Sequence, residues 1–424
     1  MGFSFGKDVR MRGFTETLSV EEAWKRFTEN VNIKKMEVEE VDILQSLNRV
    51  LAFDVFSPFN IPPFNRAAMD GYAVKAENTF GASKTNPVIL RVVGSVEAGK
   101  SSNVVVGDME AVKVSTGAVM PKNADAVVMV EYTEVLDGEK LVVYSPVYVG
   151  ANVSKAGEDV KAGEKVLSKG TVLNPHDLGL LAALGFKKVK VFRKPKVAVF
   201  SVGDELTDLG ENRRLLNGKI FDSNRYFLLS AIKNIGGEAL DLGIVGDDVE
   251  KVRLKLLEAS SKADLTIVCG GTSVGEKDLV PKAVSQTPNS KIVVHGVSIR
   301  PGKPVALASV NGKPAVLLPG YPVSAMVGFH LFVRKIFCRM LDSPQLENLC
   351  VVKGKIIRSV PSNLGTRDFV RVSLRKVGEE VYVEPVRISG AGVISSMVKA
   401  DGFVVVAEDR EGLKEGEEVE VILF

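Results

Sequence analysis

The sequence predicts a multidomain protein with a central α/β domain between β-rich segments, and three observations support this fold class. The chain has 424 residues, which at about 100–200 residues per domain corresponds to two to four domains. Strands alternate with helices from residue 195 to residue 341, as in a mostly parallel sheet with helices on both faces. Short β-branched runs separated by turn residues occupy residues 64–150 and 350–424.

Outside those segments the signals are helical. An S-x-x-E capping box at Ser19–Glu22 precedes apolar residues at helical spacing, and a second helix is expected over about Val41–Val50. The prolines between Pro58 and Pro63 then mark a domain boundary. A further helix is expected within Asn174–Gly185, with a capping residue before it, proline at its first position and glycine after its end.

The predicted elements of the α/β segment follow one another at short intervals. The strands are Lys196–Phe200, Leu240–Val245, Leu265–Cys269, Lys291–Val294, Val305–Ala308 and Ala315–Leu318, and the helices are Arg225–Ile235, Val249–Ser261, Asp278–Gln286 and Val323–Met340. In a sheet of this kind, ligands bind beyond the carboxyl ends of the strands. The strands expected after residue 350 are enough for a small barrel or sandwich.

Composition excludes several classes of protein. Lys plus Arg is 55 and Asp plus Glu is 52, a net charge of +3, so a dedicated nucleic-acid binder is not expected. The three cysteines form no C-x-x-C motif and there are three histidines, which disfavours disulfide frameworks, thiolate zinc sites and histidine-rich metal sites. No apolar run approaches the ~20 residues that span a bilayer, and the first ten residues resemble no signal peptide. We expect a soluble cytoplasmic protein.

Polar and glycine residues gather directly after the predicted strands of the α/β segment. In chain order these residues are Ser201, Gly203, Asp204 and Glu205; Asp247 and Asp248; Gly270, Gly271, Thr272, Ser273, Gly275 and Asp278; Arg300, Pro301, Gly302, Lys303 and Pro304; and Gly320 and Ser324. Taken singly, each loop has a plain structural explanation, such as a tight turn, a helix cap or a solvated charge. Five such loops at one sheet edge are stronger evidence for a binding site.

The chemistry of these loops indicates an anionic ligand. Glycines let backbone N–H groups approach an oxyanion, helix N-termini add a positive dipole end, and Arg300 and Lys303 add full charges. Carboxylates in the same place would repel that ligand unless a cation lay between them, and Mg²⁺ commonly bridges a carboxylate to a phosphate. The loops therefore predict a phosphoester or phosphoanhydride site with a divalent metal.

Two enzyme motifs match only partly. A nucleoside-triphosphate P-loop is rejected because Gly296 and Gly302 have the wrong spacing and Pro304 replaces the hydroxyl residue. Gly271–Gly275 matches the G-x-S-x-G nucleophile elbow, with Ser273 as nucleophile and His295 or His330 as its base. No oxyanion loop precedes this motif, and ester hydrolysis gives the Arg/Lys loop no role. Serine hydrolysis is therefore a minor alternative, and both histidines are expected to be structural.

Six segments, in order and at similar spacing, resemble the molybdopterin molybdenumtransferase family, which includes MoeA and the E domain of gephyrin. The resemblance extends from about residue 15 to residue 424. The segments are Asn65–Ala73 with M-D-G-Y-A, Ser115–Gly117, Ser201–Leu206 with G-D-E-L, G-G-T-S-V-G-E-K-D at 270–278, R-P-G-K-P at 300–304, and L-P-G-Y-P-V-S at 318–324. Nothing in the chemistry of the first two segments by itself requires catalysis.

The resemblance implies four domains and a homodimer. The domains would be a mostly helical linking domain (1–56 plus 151–192), a β-rich domain (57–150), an α/β molybdopterin-binding domain (193–341) and a C-terminal small β-barrel (342–424). The cleft would lie between the α/β domain of one subunit and the β-rich domain of the other. Asp70 and Thr116 would then complete the site from the partner subunit, and the molybdopterin adenylyltransferase is a further expected partner.

The implied reaction inserts molybdate or tungstate into adenylated molybdopterin and releases AMP by Mg²⁺-assisted hydrolysis. By resemblance, Asp70, Thr116, Glu205, Asp278, Arg300 and Lys303 would be catalytic, and Asp204, Glu205 and Asp278 would hold Mg²⁺. The other strand-end residues would bind substrate, with Asp247 or Asp248 among them. Lys303, Pro304 and Ser324 would line the oxyanion site, joined by Arg367 or Arg371 from the barrel.

Two positions depart from the family's common pattern. Gly296 stands where many bacterial members carry lysine, and Tyr321 stands where asparagine is common. The positive charge missing at Gly296 corresponds to a charged hydrogen bond of roughly 1.5–3 kcal/mol, so we expect a change in substrate affinity or in phosphate orientation. Tyr321 is expected to reshape the oxyanion pocket. A non-catalytic dimeric scaffold or pterin carrier, as in the E domain of gephyrin, remains the alternative function.

Overall fold

The computed structural model describes residues 17–100, 103–210, 218–272, 279–347, 349–387 and 390–424. They form two compact units. One comprises Asp54–Ser168 and Gly179–Lys187, and the other comprises the described parts of Met1–Phe53, Lys169–Leu178 and Lys188–Phe424. The four predicted domain boundaries remain predictions.

The N-terminal helix α1 (Val20–Asn30) begins at the predicted capping box. Ser19 Oγ accepts from the N–H of Glu22 at 3.2 Å, and the Glu22 carboxylate accepts from the N–H of Ser19 at 3.0 Å. Ala23 and Phe27 bury the apolar face of α1 in the core of the larger unit.

The helix expected over about Val41–Val50 is wrong. The residues form strand β1 (Val38–Asp42) and a 3₁₀-helix, Ile43–Ser46. Asp42 turns the chain there because its carboxylate accepts the Leu44 N–H at 3.0 Å, the local bond by which Asp competes with regular helix.

The β-rich unit is built on a six-stranded sheet with the order β7-β4-β6-β5-β9-β8. Its strands are β2 (Val55–Phe56), β3 (Arg66–Ala67), β4 (Gly71–Val74), β5 (Val88–Val96), β6 (Glu110–Val114), β7 (Ala126–Met129), β8 (Thr133–Leu136), β9 (Lys140–Val143), β10 (Val153–Ser154) and β11 (Lys165–Leu167). The short strands pair as β3 with β10 and β2 with β11. Alternate residues of the sheet enter two small apolar cores, so both sheet faces are buried.

The elements of the α/β region follow in the predicted alternation. They are α2 (Pro175–Ala183), β12 (Lys188–Phe192), β13 (Lys196–Val202), β14 (Leu206–Thr207), β15 (Ile220–Phe221), α3 (Ser223–Asn234), β16 (Glu238–Val245), α4 (Val249–Lys262), β17 (Leu265–Cys269), α5 (Leu279–Ser285), β18 (Lys291–His295), β19 (Ile299–Arg300), β20 (Ala306–Val310), β21 (Lys313–Leu318), α6 (Pro322–Gly328), a π-helix (Phe329–Val333) and α7 (Arg334–Leu341). Strand β12 pairs antiparallel with β1.

The central sheet has the order β16-β13-β17-β21-β20-β18. The first four strands are parallel, whereas β20 runs antiparallel to both β21 and β18. Two adjacent antiparallel pairings restore the direction of β18, so β18 runs the same way as the first four strands. The predicted mostly parallel sheet is confirmed.

Each face of the central sheet has its own core. On one face, Val197, Val199 and Ile267 pack with α1, α3, α6 and α7. On the other face, Ala198 and Phe200 pack with α4 and α5. This alternation along β13 is the period-two pattern of a strand buried on both sides.

The C-terminal region forms the predicted barrel. Its elements are a 3₁₀-helix (Pro344–Leu346), β22 (Val351–Ile356), β23 (Val360–Pro361), β24 (Arg367–Val377), β25 (Glu380–Arg387), α8 (Ser395–Val398), β26 (Gly402–Val406), β27 (Gly412–Leu413) and β28 (Glu418–Leu423). The order β24-β25-β22-β28-β26 closes through pairing of β24 with β26. Strand β19 adds to β24, which joins the barrel to the α/β region.

In the part of the chain that the structure describes, no helix is both long enough and apolar enough to cross a membrane.

Candidate active site

The predicted ligand loops share one edge of the central sheet. The loops after β16, β13, β17 and β21 follow parallel strands, and the loop after β18 follows a strand of the same direction. All five therefore leave the sheet at its carboxyl edge, as the sequence predicts.

Glycines bring three of these loops into direct contact. The Gly270 N–H donates to Leu318 O at 2.9 Å, and a side chain at Gly270 would overlap the carbonyl oxygen of Val202. Gly270 has a φ of +94°, which favours glycine. A Cβ on Gly320 would stand 3.7 Å from Gly270 Cα. The ends of β13, β17 and β21 thus lie in backbone contact, with Gly270 buried, Gly271 partly exposed and Gly320 exposed.

Asp204 and Glu205 occupy the tip of a turn after β13. The turn closes through the Leu206 N–H, which donates to Gly203 O at 3.2 Å, and both carboxylates are exposed. Asp204 also accepts the N–H of Asp247 at 3.0 Å, which ties the turn to the loop after β16. The structure therefore brings Asp204, Glu205 and Asp247 to one place.

The donor set at this turn fits Mg²⁺ in one of its common modes. Among the described residues no cluster of three or more carboxylate, histidine or cysteine side chains could enclose a metal. Mg²⁺ usually retains water and binds one or two carboxylates together with substrate phosphate oxygens. Asp204 and Glu205 are two adjacent exposed carboxylates that match this requirement.

Asp248 has a structural role in the described chain. It is the N-cap of α4, and its carboxylate accepts the Lys251 N–H at 3.0 Å. Of the two aspartates that the sequence left as alternatives, Asp247 is the one that contacts the carboxylate turn.

The glycine-rich loop after β17 is described only at its start. Gly271 has a φ of +66° and its carbonyl accepts the Val280 N–H at 3.2 Å, while Thr272 is buried. Ser273, Gly275 and Asp278 lie outside the described residues, and their predicted roles stay predictions.

The Arg/Lys loop packs against helix α6. The Val305 N–H donates to Gly302 O at 2.9 Å, and a Cβ on Gly302 would stand 3.5 Å from Ser324 O. Lys303 is exposed, Pro304 is half-buried and Ser324 is buried. Pro301 follows a cis peptide bond. The structure therefore brings the predicted oxyanion residues into one neighbourhood.

Arg300 is committed to an ion pair that the sequence did not indicate. Its guanidinium bonds the carboxylate of Asp368, which is 2% exposed, and also donates to Pro361 O at 3.4 Å. Pairing of β19 with β24 sets Arg300 opposite Asp368. Arg300 thus fastens its loop to the barrel, and its predicted catalytic role has to operate from within this ion pair.

The two barrel arginines have different surroundings. Arg367 bonds Glu21 in two places, at 2.8 and 3.1 Å, and Glu408 at 2.9 Å, so carboxylates already occupy its donors. Arg371 is buried and donates to Ser396 Oγ at 2.6 Å and to Gly390 O at 3.3 Å. Of the two arginines, Arg371 is therefore the better candidate for the oxyanion site.

The loop that Arg371 contacts also reaches α6. The Val323 N–H donates to Ala391 O at 3.1 Å, and a Cβ on Gly392 would stand 3.3 Å from the ring of Tyr321. The start of α6 thus links the Arg371 neighbourhood to Ser324. Sequence reasoning missed Ser396, because no local motif marks a serine that meets its arginine across the barrel.

Polar side chains also lie beneath the carboxyl edge. Ser201 Oγ is buried and has no hydrogen-bond partner among the described residues. In register with Ser201 is Cys269, whose pKa is raised to about 12 by burial. Asn224, which the sequence did not single out, donates to Gly320 O at 2.7 Å and to Cys269 Sγ at 3.3 Å. Asn224 therefore holds the loop after β21 to helix α3.

In the β-rich unit, Asp70 and Thr116 contact each other directly. Asp70 Oδ1 accepts the Thr116 N–H at 2.6 Å and the Thr116 hydroxyl at 2.9 Å. These two bonds, the backbone bond first, lower the pKa of Asp70 below its ordinary value. Both side chains are exposed. The two residues that the resemblance singles out are thus one preorganised anionic feature.

Both predicted structural histidines are placed away from the exposed carboxylates. His295 ends β18. His330 lies among Phe329, Phe403 and Phe424, with ring centroids 6.1–6.3 Å away. Burial, with repulsion from Arg334, lowers the pKa of His330 to about 4. Such surroundings suit a packing residue rather than a general base.

Comparison with protein-family models accounts for nearly the whole chain. Residues 18–185 match the MoeA N-terminal region (domain I and II), residues 198–339 a probable molybdopterin binding domain, and residues 353–424 the MoeA C-terminal region (domain IV). The chain belongs to the MoeA family of molybdopterin molybdenumtransferases. This membership confirms the predicted multidomain fold, the transferase class and a role in molybdenum cofactor biosynthesis.

Individual MoeA relatives match over almost their full length. A putative molybdopterin biosynthesis protein of Methanocaldococcus jannaschii is 43% identical, and the match covers 92% of each chain. The molybdopterin molybdenumtransferase of Bacillus subtilis is 32% identical over 92% of this chain and 91% of its own. A crystal structure of a MoeA protein from Pyrococcus horikoshii OT3 has a TM-score of 0.84 and 33% identity, covering 96% of this chain and 100% of that chain.

Proposed function

We propose that this MoeA chain inserts molybdate or tungstate into adenylated molybdopterin and releases AMP. The observation that carries the proposal is the placement, along one sheet edge, of a two-carboxylate turn, glycine-rich strand ends and the Arg/Lys loop. A phosphoanhydride and an oxyanion are both multiply charged, and a site for both requires cationic and metal-binding groups together. The MoeA membership of the chain gives this chemistry its substrate class.

The site residues divide into two groups. One would bind Mg²⁺ and the phosphoanhydride, and the other would bind the oxyanion. Asp204 and Glu205 would hold Mg²⁺, together with Asp278, and this ion would neutralise the phosphoanhydride when bound. The backbone N–H of Gly271 would approach the phosphate oxygens, since the Gly270 N–H is bonded to Leu318 O. Lys303, Ser324 and Arg371 would hold the oxyanion, with Ser396 orienting Arg371 through the 2.6 Å bond. Water would then attack phosphorus and AMP would leave.

The oxyanion exchange requires proton balance. The two metal–sulfur bonds to the dithiolene together replace one metal–oxo group of the oxyanion, and that oxide leaves as one water with the two protons of the two thiols. Exposed Lys303 would orient the departing oxygen by donating a hydrogen bond to it. The proposed chemistry therefore needs no oxidant or reductant.

We further propose a homodimer in which Asp70 and Thr116 face the α/β edge of the partner subunit. Support comes from the fixed geometry of Asp70, its exposure and its lowered pKa. An acidic residue held in this way could orient the attacking water or a bound ion.

The test of function is AMP release by the purified chain from adenylated molybdopterin, with Mg²⁺ and molybdate present. We expect Glu205→Gln to reduce release by at least about a hundredfold, the scale of a lost electrostatic group in an active site. The matched control is Glu250→Gln, which removes an exposed carboxylate of α4 that pairs with Arg253. Equal rates for the two variants would remove Glu205 from the site. No release by folded, unmodified protein would favour the scaffold or pterin-carrier function.

A further inference from the structure

The buried guanidinium of Arg225 binds three carboxylates from three different parts of the fold. Arg225 is 2% exposed and lies near the start of α3. Its Nε donates to Asp222 at 3.0 Å, Nη1 bonds Asp241 on β16, and Nη2 donates to Asp208 at 2.5 Å. Asp222 is equally buried, whereas Asp241 and Asp208 are half-exposed.

Two of these carboxylates end the two arms of a small ribbon. We use the name carboxylate ribbon for residues 203–208 and 219–222, in which β14 pairs with β15. The Ile220 N–H donates to Glu205 O at 2.9 Å and the Asp222 N–H donates to Thr207 O at 3.0 Å. Asp208 ends the first arm and Asp222 ends the second. Arg225 therefore holds both arms at their base.

The far end of the ribbon is the turn that carries Asp204 and Glu205. Besides the turn's own bond, Lys219 bonds Asp204 O across the ribbon, and Asp204 Oδ1 accepts the Asp247 N–H. The turn itself is exposed and buries no large side chain. The Gly203 N–H also donates to Val245 O at 3.1 Å, so the start of the turn is fixed by the central sheet. The end of the turn is fixed by the hydrogen bonds of the ribbon, whose base Arg225 holds.

Arg225, Asp208 and Asp222 together hold the base of the ribbon, and we call these three residues the clamp. Arg225 supplies a planar set of donors that can bond several carboxylates at once, which lysine cannot reproduce. Asp208 also accepts the Tyr226 hydroxyl at 2.9 Å. Burial opposes ionisation of Asp208, but Tyr226, the Leu209 N–H and Arg225 outweigh it and lower its pKa. Asp208 is therefore ionised near neutral pH beside Arg225.

We propose that Arg225 is a positioning residue: through Asp208 and Asp222 it sets the ribbon so that Asp204 and Glu205 can bind a divalent cation together. The cation role rests on the proposed function, whereas the clamp on the ribbon does not. Asp241 anchors the same guanidinium to β16, and among the described residues its carboxylate bonds Arg225 and the Gly243 N–H but not the ribbon. Asp241→Asn therefore removes a bond that stabilises the fold and leaves the bonds from Arg225 to Asp208 and Asp222 in place.

The experiment compares Asp208→Asn with Asp241→Asn in the full-length protein. Amide hydrogen exchange is followed at Ile220 and Asp222, whose N–H groups close the ribbon. We expect Asp208→Asn to accelerate exchange there by about tenfold, the effect of losing one charged hydrogen bond. Asp241→Asn should lower the midpoint of unfolding while leaving exchange at those amides within about twofold of the unmodified protein.

The second readout is the Mg²⁺ dependence of AMP release. Asp208→Asn should raise the half-saturating Mg²⁺ concentration by about tenfold and change kcat at saturating Mg²⁺ much less, and Asp208→Glu should restore part of the loss. Unchanged exchange in Asp208→Asn, or equal acceleration in Asp241→Asn, would overturn the clamp. Accelerated exchange with an unaltered Mg²⁺ dependence would overturn the positioning role. If exchange is accelerated in Asp208→Asn but the unmodified protein releases no AMP, the proposed function is refuted and only the clamp is supported.

Discussion

The carboxylate of Asp70 accepts two hydrogen bonds from Thr116, one from the backbone N–H at 2.6 Å and one from the hydroxyl at 2.9 Å. The two residues lie 46 positions apart, and each belongs to a segment with no chemical signal of its own. The two bonds fix the direction of the Asp70 carboxylate and stabilise its ionised form, so the pKa of Asp70 can be used to test the contact.

Asp70 should titrate below the ordinary aspartate value of 3.8, because both hydrogen bonds stabilise its ionised form. A lowered pKa means that the stabilisation by Thr116 is complete above pH 3.8 and is lost only as pH falls through the lowered value. Thr116→Val removes the hydroxyl donor and keeps the backbone donor, so the pKa should rise toward 3.8. Carboxyl ¹³C shifts of labelled aspartate measure this change. Thr133→Val, whose hydroxyl bonds Val130 O in the same unit, should leave the Asp70 titration unaltered.

Subunit mixing tests the proposed shared cleft. Asp70→Ala and Asp278→Ala should each lose nearly all AMP release, because each removes a carboxylate from every site of a homodimer. After exchange of subunits, one cleft of each mixed dimer would be intact, so roughly a quarter of normal activity should return when mixing is random. Light scattering before and after mixing checks that dimers are present. Persistent inactivity despite verified exchange would place the whole site within one chain.

Gly270→Ala should disrupt the carboxyl edge, because the new Cβ would overlap Val202 O and the backbone has a φ of +94°. We expect a loss of at least about 2 kcal/mol in the free energy of unfolding. Gly243→Ala is the control, since Gly243 has a φ of +75° but open space around its Cα. It should cost about 1 kcal/mol from backbone strain alone. Denaturant unfolding of both variants gives the comparison, and equal losses would contradict the close approach.

The Arg300–Asp368 pair should couple energetically. Asp368 is buried and Arg300 is partly exposed, so Arg300→Gln leaves a buried carboxylate with Ser362 as its remaining side-chain donor, at 2.7 Å. We expect a loss of about 1–3 kcal/mol, below the value for a fully buried pair because solvent screens Arg300. Asp368→Asn in the same chain should recover part of this loss. A double-mutant cycle with no coupling would mean that the ion pair does not fasten the loop to the barrel.

His330 should make the protein acid-sensitive. Its pKa is about 4 in the folded chain and 6.5 ordinarily, so the unfolded chain binds more protons between those values. The free energy of unfolding therefore falls as pH drops through that window. His330→Phe should reduce the loss between pH 7 and pH 5 by about 2 kcal/mol. His176→Gln, at an exposed position of α2, should not, and a similar effect of both would contradict the assigned cause.

The sequence predicts where the site lies in the fold better than it predicts which side chains contact one another there. Glycines and carboxylates after Phe200 and Cys269 indicate a ligand edge because parallel strands bring their carboxyl ends together. The partner of Arg300 could not be predicted, since Asp368 meets it only through the addition of β19 to the barrel. Arg225 gave no signal either, because Asp208 and Asp241 reach it only through the folded positions of the ribbon and β16. The Val41–Val50 error has a local cause, the bond from Leu44 to Asp42.

The most direct test of the central claim is AMP release from adenylated molybdopterin by the unmodified protein, with Mg²⁺, while molybdate and tungstate are titrated in parallel. We predict that AMP release depends on an oxyanion and on Mg²⁺, and that one AMP is released for each metallated cofactor formed. The oxyanion with the lower half-saturating concentration would be the preferred metal source. Release that is independent of both oxyanions, or no release from verified substrate, would contradict the account.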